Sequence, residues 1–153
     1  MILPAQTIRK LKPIFPFHER TVHNGMSYGL SHAGYDVRIA ETVVLSPGAS
    51  CLASTIEEFF IPTDIVAFVH DKSSWARRGL SLFNTVIEPG WIGFLTLELV
   101  NHSDQKLFVA AGDPIAQIIF MRLEEPTENP YSGKYQHQKR GPQVAIDEQN
   151  SQD

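Results

Sequence analysis

Short stretches of alternating apolar and polar residues, each cut off by proline or glycine, leave this chain little choice of architecture. Ala33-Gly34-Tyr35-Asp36-Val37-Arg38-Ile39 sets Tyr35, Val37 and Ile39 against Asp36 and Arg38, the mark of a half-buried strand. Asp36 and Arg38 share one face, as a surface ion pair would. Glu41 to Leu45, Ala49 to Ala53, Glu58 to Ile61 and Ile65 to His70 give further strands, punctuated by Pro47-Gly48 and Pro62-Thr63-Asp64. Leu107-Phe108-Val109-Ala110 and Ile115 to Met121 give two more, flanking the turn Gly112-Asp113-Pro114. There is no internal repeat, and no helical period long enough to build a parallel α/β sheet. The pattern predicts an all-β sandwich or barrel. Ahead of it, Ala5, Ile8 and Leu11 stand at helical spacing, so Met1 to Leu11 reads as a short amphipathic helix that Pro13 ends. Pro13 to Ser31, with Asn24-Gly25 and Gly29, reads as a loop.

With 153 residues and 42% hydrophobic content the chain fits one compact domain, 1–153. The net charge of −4 argues against a nucleic-acid binder held by phosphate neutralisation, since the 13 basic residues are outnumbered and only locally clustered. A single cysteine, Cys51, excludes an internal disulfide and fits a reducing cytoplasm. No apolar run reaches the ~18 residues of a membrane span and no leader is present, so the expectation is a cytoplasmic protein without membrane or nucleic-acid partners.

Chemistry concentrates between Asp71 and Asn101, read as a short helical turn, a hairpin and a strand. Lys72, Ser73, Ser74, Arg77 and Arg78 gather cations and hydroxyls just before Gly79. Ser73 and Arg77, four apart, fall on one face of a helical turn beside amides without intrahelical partners, an arrangement suited to phosphate. Along Gly93 to Asn101, Leu95, Leu97 and Leu99 point one way and Phe94, Thr96, Glu98 and Val100 the other. Glu98 is then either a carboxylate on a solvated outer face or one desolvated among apolar residues, where its pKa rises toward the range of a general base.

Other motifs carry less. Gly25-Met26-Ser27-Tyr28-Gly29 matches a hydrolase nucleophile elbow in form but lacks the strand before and the helix after it, and Ser103 with Lys106 matches a serine–lysine spacing only within a turn. The six histidines show no zinc-site spacing. Neither the His-x-Glu nor the Pro-Cys-x-x-Cys element of zinc nucleobase deaminases occurs. The tail from Glu124 has the composition of a disordered terminus. Its two tyrosines interleaved with Lys134, Lys139 and Arg140 also fit an arm that folds over an anionic ligand.

Taken together these residues resemble the dCTP deaminase family of the trimeric dUTPase-like superfamily. Lys72-Ser73-Ser74-Trp75-Ala76-Arg77-Arg78-Gly79-Leu80 is similar to its signature turn, Glu88-Pro89-Gly90-Trp91 to its hairpin and Leu95-Thr96-Leu97-Glu98-Leu99 to its catalytic strand. Gly34 to Arg38, Ile115 to Phe120 and Lys134 to Gln138 match further segments in order. The resemblance implies a distorted, jelly-roll-like β-barrel of dUTPase type with a short N-terminal helix and a mobile C-terminal arm, 124–153, closing over nucleotide. It implies Glu98 as general base, with Ser73 and Arg77 orienting the water and the carboxylate. It further implies Lys72, Ser74, Thr85, Glu88, Trp91, Gln117, Tyr131, Lys134 and Gln138 as substrate contacts. Mg²⁺ would ride on the triphosphate of dCTP without direct protein ligation, Asp36 touching it through water, and zinc would play no part. Sites would form between the subunits of a homotrimer.

The match departs in places. The Asn84 to Trp91 hairpin is compact, Glu88 stands where dUTPases place a water-activating Asp, and the Gly-rich arm with a stacking Phe is absent. A bifunctional enzyme taking dCTP to dUMP, a plain dUTPase and a silent nucleotide sensor are the alternatives.

Overall fold

The computed structural model describes residues 1–148. Helix α1 (Ala5–Leu11) buries Ile8 and ends at Lys12, whose N–H caps the Ile8 carbonyl in the left-handed conformation. The remainder is sheet. One sheet has six strands in the order β2 (Thr21–His23), β3 (Met26–Leu30), β4 (Tyr35–Arg38), β12 (Pro114–Arg122), β7 (Ile65–Asp71) and β9 (Val86–Ile87). A second has four: β1 (Ile14–Phe15), β6 (Ser50–Phe60), β10 (Ile92–Asn101) and β8 (Leu80–Leu82). A small pair joins β11 (Leu107–Val109) to β5 (Val43–Leu45). The core faces of these curled sheets supply Tyr35, Val37, Ile39, Phe59, Leu97, Leu99 and Phe120, all fully buried, so the alternation on β4 and β10 does what an amphipathic strand must. The expected all-β architecture, with a short N-terminal helix, is the one observed.

Four expectations are corrected. The segment Pro13 to Ser31 holds β1 and a β2–β3 hairpin rather than a loop, because Asn24 (φ 49°) and Gly25 (φ 75°) adopt the left-handed pair that a tight two-residue hairpin turn requires. Ala49 to Ala53 and Glu58 to Ile61 are not separate strands; β6 runs unbroken through Ser54–Glu57. Asp36 and Arg38 do not form a surface pair with each other. Asp36 is buried against Lys72 Nζ at 2.8 Å, and Arg38 Nε reaches the fully buried Glu57 at 2.8 Å. Finally, Asn84 to Trp91 is no paired hairpin: β9 joins β7 while β10 joins β6 and β8, so the Glu88–Trp91 turn, closed by Trp91 N–H to Glu88 O at 3.1 Å, carries the chain from one sheet to the other.

Residues 124–148 contain no helix or strand, yet they dock on the four-stranded sheet instead of trailing free. Gln138 bridges in parallel to Gly93, and a Cβ on Gly93 would lie 2.8 Å from the Gln138 nitrogen, so only glycine lets the tail approach there. The last part of the expected arm, 149–153, lies outside the described residues.

Candidate active site

Glu98 reaches its position because β10 keeps a strict phase after a bulge. Register with β6 slips between Phe94 and Thr96, and the Leu95 N–H left out of the ladder donates to Thr55 Oγ1 at 3.1 Å. Beyond it Leu97 and Leu99 are fully buried, while Thr96 and Glu98 turn outward. Leu95 shares the inward face with Leu97 and Leu99 as expected, half-buried and packed against the core, and it also reaches the wall of a cleft lined by Thr96 and Glu98.

This cleft, of about 590 Å³, is walled by Leu52, Phe83, Val86, Ile87, Trp91 and Leu95. Glu98 faces Leu52 across the β6 ladder. Among the described residues its carboxylate makes no salt bridge or hydrogen bond, and burial among these apolar neighbours pushes its pKa above the usual glutamate value. Thr85, Glu88, Trp91, Tyr131, Lys134 and Gln138, all expected to contact substrate, line the same cleft. Trp91 is buried, stacks at 6.0 Å on Phe59 and donates its indole N–H to the Tyr135 carbonyl at 2.7 Å, so it clasps the tail. Gln138 Nε2 donates to the Phe94 carbonyl (2.8 Å) and to Thr96 Oγ1 (2.7 Å). Lys134 pairs with Glu148 at 3.4 Å beside the cleft.

The other expected residues lie elsewhere. Ser73 opens the one-turn helix α2 (Ser73–Ala76) and Arg77 follows its last residue; both are exposed and neither lines the Glu98 cleft, nor does the half-buried Ser74. Among the described residues Arg77 has no ionic partner. Lys72 is buried on Asp36, whose pKa is raised by burial even though the ammonium pulls it down. Gln117, on β12, stands in register between Asp36 and His70 and donates to Ser31 Oγ at 3.2 Å. Ser73 and Arg77 are both exposed on the short helix, as their spacing predicts, but neither lines the cleft that holds Glu98.

Two contributors carry no signal in sequence. Gln136 accepts from Ile92 N–H at 2.8 Å and donates to the carbonyls of Gly90 (2.9 Å) and Tyr131 (3.0 Å), fastening the tail to the turn after β9. Asn84 binds the backbone of β10 on either side of Leu97. Both act on main-chain groups, which have no periodicity to betray them.

The sheets define a dUTPase-type fold, and comparison with solved structures places the architecture in that group. The chain is similar to the equine infectious anaemia virus (EIAV) dUTPase (TM-score 0.57, 20% identity, 67% of this chain and 85% of that one). It is also similar to the dUTPase of phage phi11 of S. aureus (TM-score 0.58, 19% identity, 77% and 92%). The family model for dCTP deaminase-like proteins matches residues 14–123. The dCTP deaminases of Pyrococcus horikoshii (36% identity, 92% of this chain and 94% of that one) and Thermococcus sibiricus (34%, 89% and 92%) match almost end to end. The chain belongs to the dCTP deaminase-like family.

Proposed function

We propose that this protein hydrolytically deaminates dCTP to dUTP and ammonia, a step of pyrimidine deoxynucleotide metabolism, with Glu98 as general base. The observation that carries this reading is an unpaired carboxylate, desolvated and with a raised pKa, in a cleft large enough for a nucleoside. Glu98 takes a proton from water as the oxygen bonds to C4 of cytosine. It passes that proton to N3, then carries the proton of the new C4 hydroxyl to the amino nitrogen, so that the C4–N bond breaks, the C4 carbonyl forms and ammonia leaves. Apolar walls exclude competing water and strengthen every charge interaction inside. The base is expected to contribute about 10² to 10⁴ in rate, the remainder coming from positioning and electrostatics.

The chain's zinc-deaminase elements are missing from its sequence, so the water is assigned to Glu98 and not to a zinc ion. Mg²⁺ enters as counter-ion of the triphosphate, neutralising its charge. Asp36, whose Oδ2 is engaged by Lys72, is proposed to meet it through water. Ser73, Ser74 and Arg77 are the residues proposed to meet water and phosphate. Their distance from the Glu98 cleft supports a site completed by a second copy of the chain in a homotrimer. No helix among the described residues is long and apolar enough to cross a membrane.

Glu88, exposed on the same cleft, favours one second reading, in which the enzyme continues to dUMP. Incubation with dCTP and Mg²⁺, following ammonia and separating the nucleotides, decides between them. Ammonia with dUTP is expected; ammonia with dUMP and pyrophosphate supports the bifunctional reading. No ammonia overturns both, and pyrophosphate from dUTP alone would then mark a dUTPase.

A further inference from the structure

On the side away from β6, the ladder does not hold the peptide groups of Thr96 and Glu98 alone. Strand β8 pairs with β10 only over Leu80–Leu82, Leu82 facing Leu99 in the last rung. One residue on, Phe83 N–H still donates to the Glu98 carbonyl at 3.0 Å. In a regular antiparallel pair Glu98 N–H would return that bond to the Phe83 carbonyl. It donates instead to Asn84 Oδ1 at 2.9 Å, and Asn84 Nδ2 donates to the Thr96 carbonyl at 2.7 Å.

A primary amide offers the donor and the acceptor of a peptide group on a short stalk. Asn84 therefore continues the ladder with its side chain while its main chain leaves the sheet. The freed loop, Phe83 to Thr85, and Val86 of β9 after it line the cleft that holds Glu98. Thr96 carries the link further, since its hydroxyl accepts from Gln138 Nε2 (2.7 Å) and Gln143 N–H (3.0 Å) of the tail. One residue of β10 thus takes Asn84 on its carbonyl and the closing arm on its hydroxyl.

We propose that Asn84 is a positioning residue of the deamination read above, and on that reading it fixes the backbone of Glu98 and holds the apolar loop against the carboxylate. The other titratable side chains on the cleft are Glu88 of the turn and Tyr131, Lys134, Tyr135 and Glu148 of the tail; β6 brings only Leu52 at this level. Removing the amide loosens the loop, admits water and leaves those distant groups in place.

The test follows the carboxyl ¹³C signal of Glu98, assigned by its loss in Glu98→Gln, through a pH titration of the full chain, alongside steady-state kinetics on dCTP. In Asn84→Ala the midpoint of Glu98 is expected to fall toward that of an ordinary glutamate. Displacement of the base should lower kcat on the order of 10- to 100-fold with KM little changed. In Asn84→Asp, which keeps the acceptor and adds a negative charge, the midpoint is expected to rise. A merely structural asparagine would lower the melting temperature of the variants and move neither quantity. An unchanged midpoint or an unchanged kcat in folded Asn84→Ala overturns the proposal, and if that variant does not fold, an unchanged midpoint in Asn84→Asp does so. Should the wild type release no ammonia from dCTP, the deaminase reading fails on its own. The midpoint then still decides whether Asn84 governs the surroundings of Glu98.

Discussion

Two glutamates stand on paired strands of the same sheet and meet opposite fates. Glu57, on β6, is fully buried, and Arg38 satisfies both of its oxygens, through Nε at 2.8 Å and the backbone N–H at 2.9 Å. Glu98, on β10, is only half-buried, and among the described residues its carboxylate has no partner at all. Depth of burial does not separate a structural charge from one proposed to react. What separates them is whether the acceptor oxygens are already taken: the carboxylate of Glu57 is spent on holding two elements together, whereas that of Glu98, in an apolar wall, keeps its lone pairs for a proton.

The same isosteric substitution at both sites breaks or upholds that contrast. Glu98→Gln is expected to lower kcat by about 10² to 10⁴ while dCTP binding persists, and loss of binding instead would contradict the base role. The pH dependence follows from the raised pKa. Turnover needs the ionised form, so kcat should fall as pH drops through a midpoint above the ordinary glutamate value of about 4.3. Stability runs the other way. Between the unfolded and folded pKa values the folded state holds the extra proton, so stability declines as pH rises through that window. Glu98→Gln removes this penalty, and its melting temperature at neutral pH should be no lower than that of the wild type.

Glu57→Gln should reverse the pattern. It leaves the Arg38 guanidinium, 16% exposed, without its counter-charge. Breaking a buried pair costs about 3–5 kcal/mol, and the partial exposure of Arg38 places the loss near the lower end. Urea denaturation measures it, while kcat per folded molecule should be unchanged. A fall in kcat comparable to that of Glu98→Gln would show that the two carboxylates are not functionally distinct.

The contrast also explains what could be read before the fold was known. Glu98 was legible because its strand keeps a period of two, and Ser73 with Arg77 because a helical turn sets their spacing; the all-β class followed from the Pro and Gly punctuation. Strand β2 was hidden because all three of its residues are exposed, which leaves no apolar phase to detect. Glu57 was hidden because Ser54–Glu57 looks like an interruption, whereas Ala53, Thr55, Glu57 and Phe59 share the buried phase of one strand. The separation of Ser73 and Arg77 from Glu98 depends on which sheets β7, β8 and β10 join, and no local pattern encodes that. Asn84 and Gln136 belong to the same class, since they act on backbone groups far away in sequence.

The smallest effect tests whether the tail belongs to binding or to chemistry. Trp91 has two roles, packing its ring on Phe59 and donating its indole N–H to the Tyr135 carbonyl. Trp91→Phe keeps most of the first and removes the second. One such bond is worth about 1 kcal/mol, and Gln136 and Gln138 continue to hold the arm. The expected outcome is a weakening of dCTP binding by about fivefold, read by titration calorimetry with the Glu98→Gln background preventing turnover, and an unchanged kcat in the otherwise native chain. If kcat drops as well, the arm does more than clasp nucleotide. Its contact through Gln138 to Thr96 would then be setting the strand that carries Glu98, and the line between the reactive carboxylate and the parts that merely hold would have to be drawn further out.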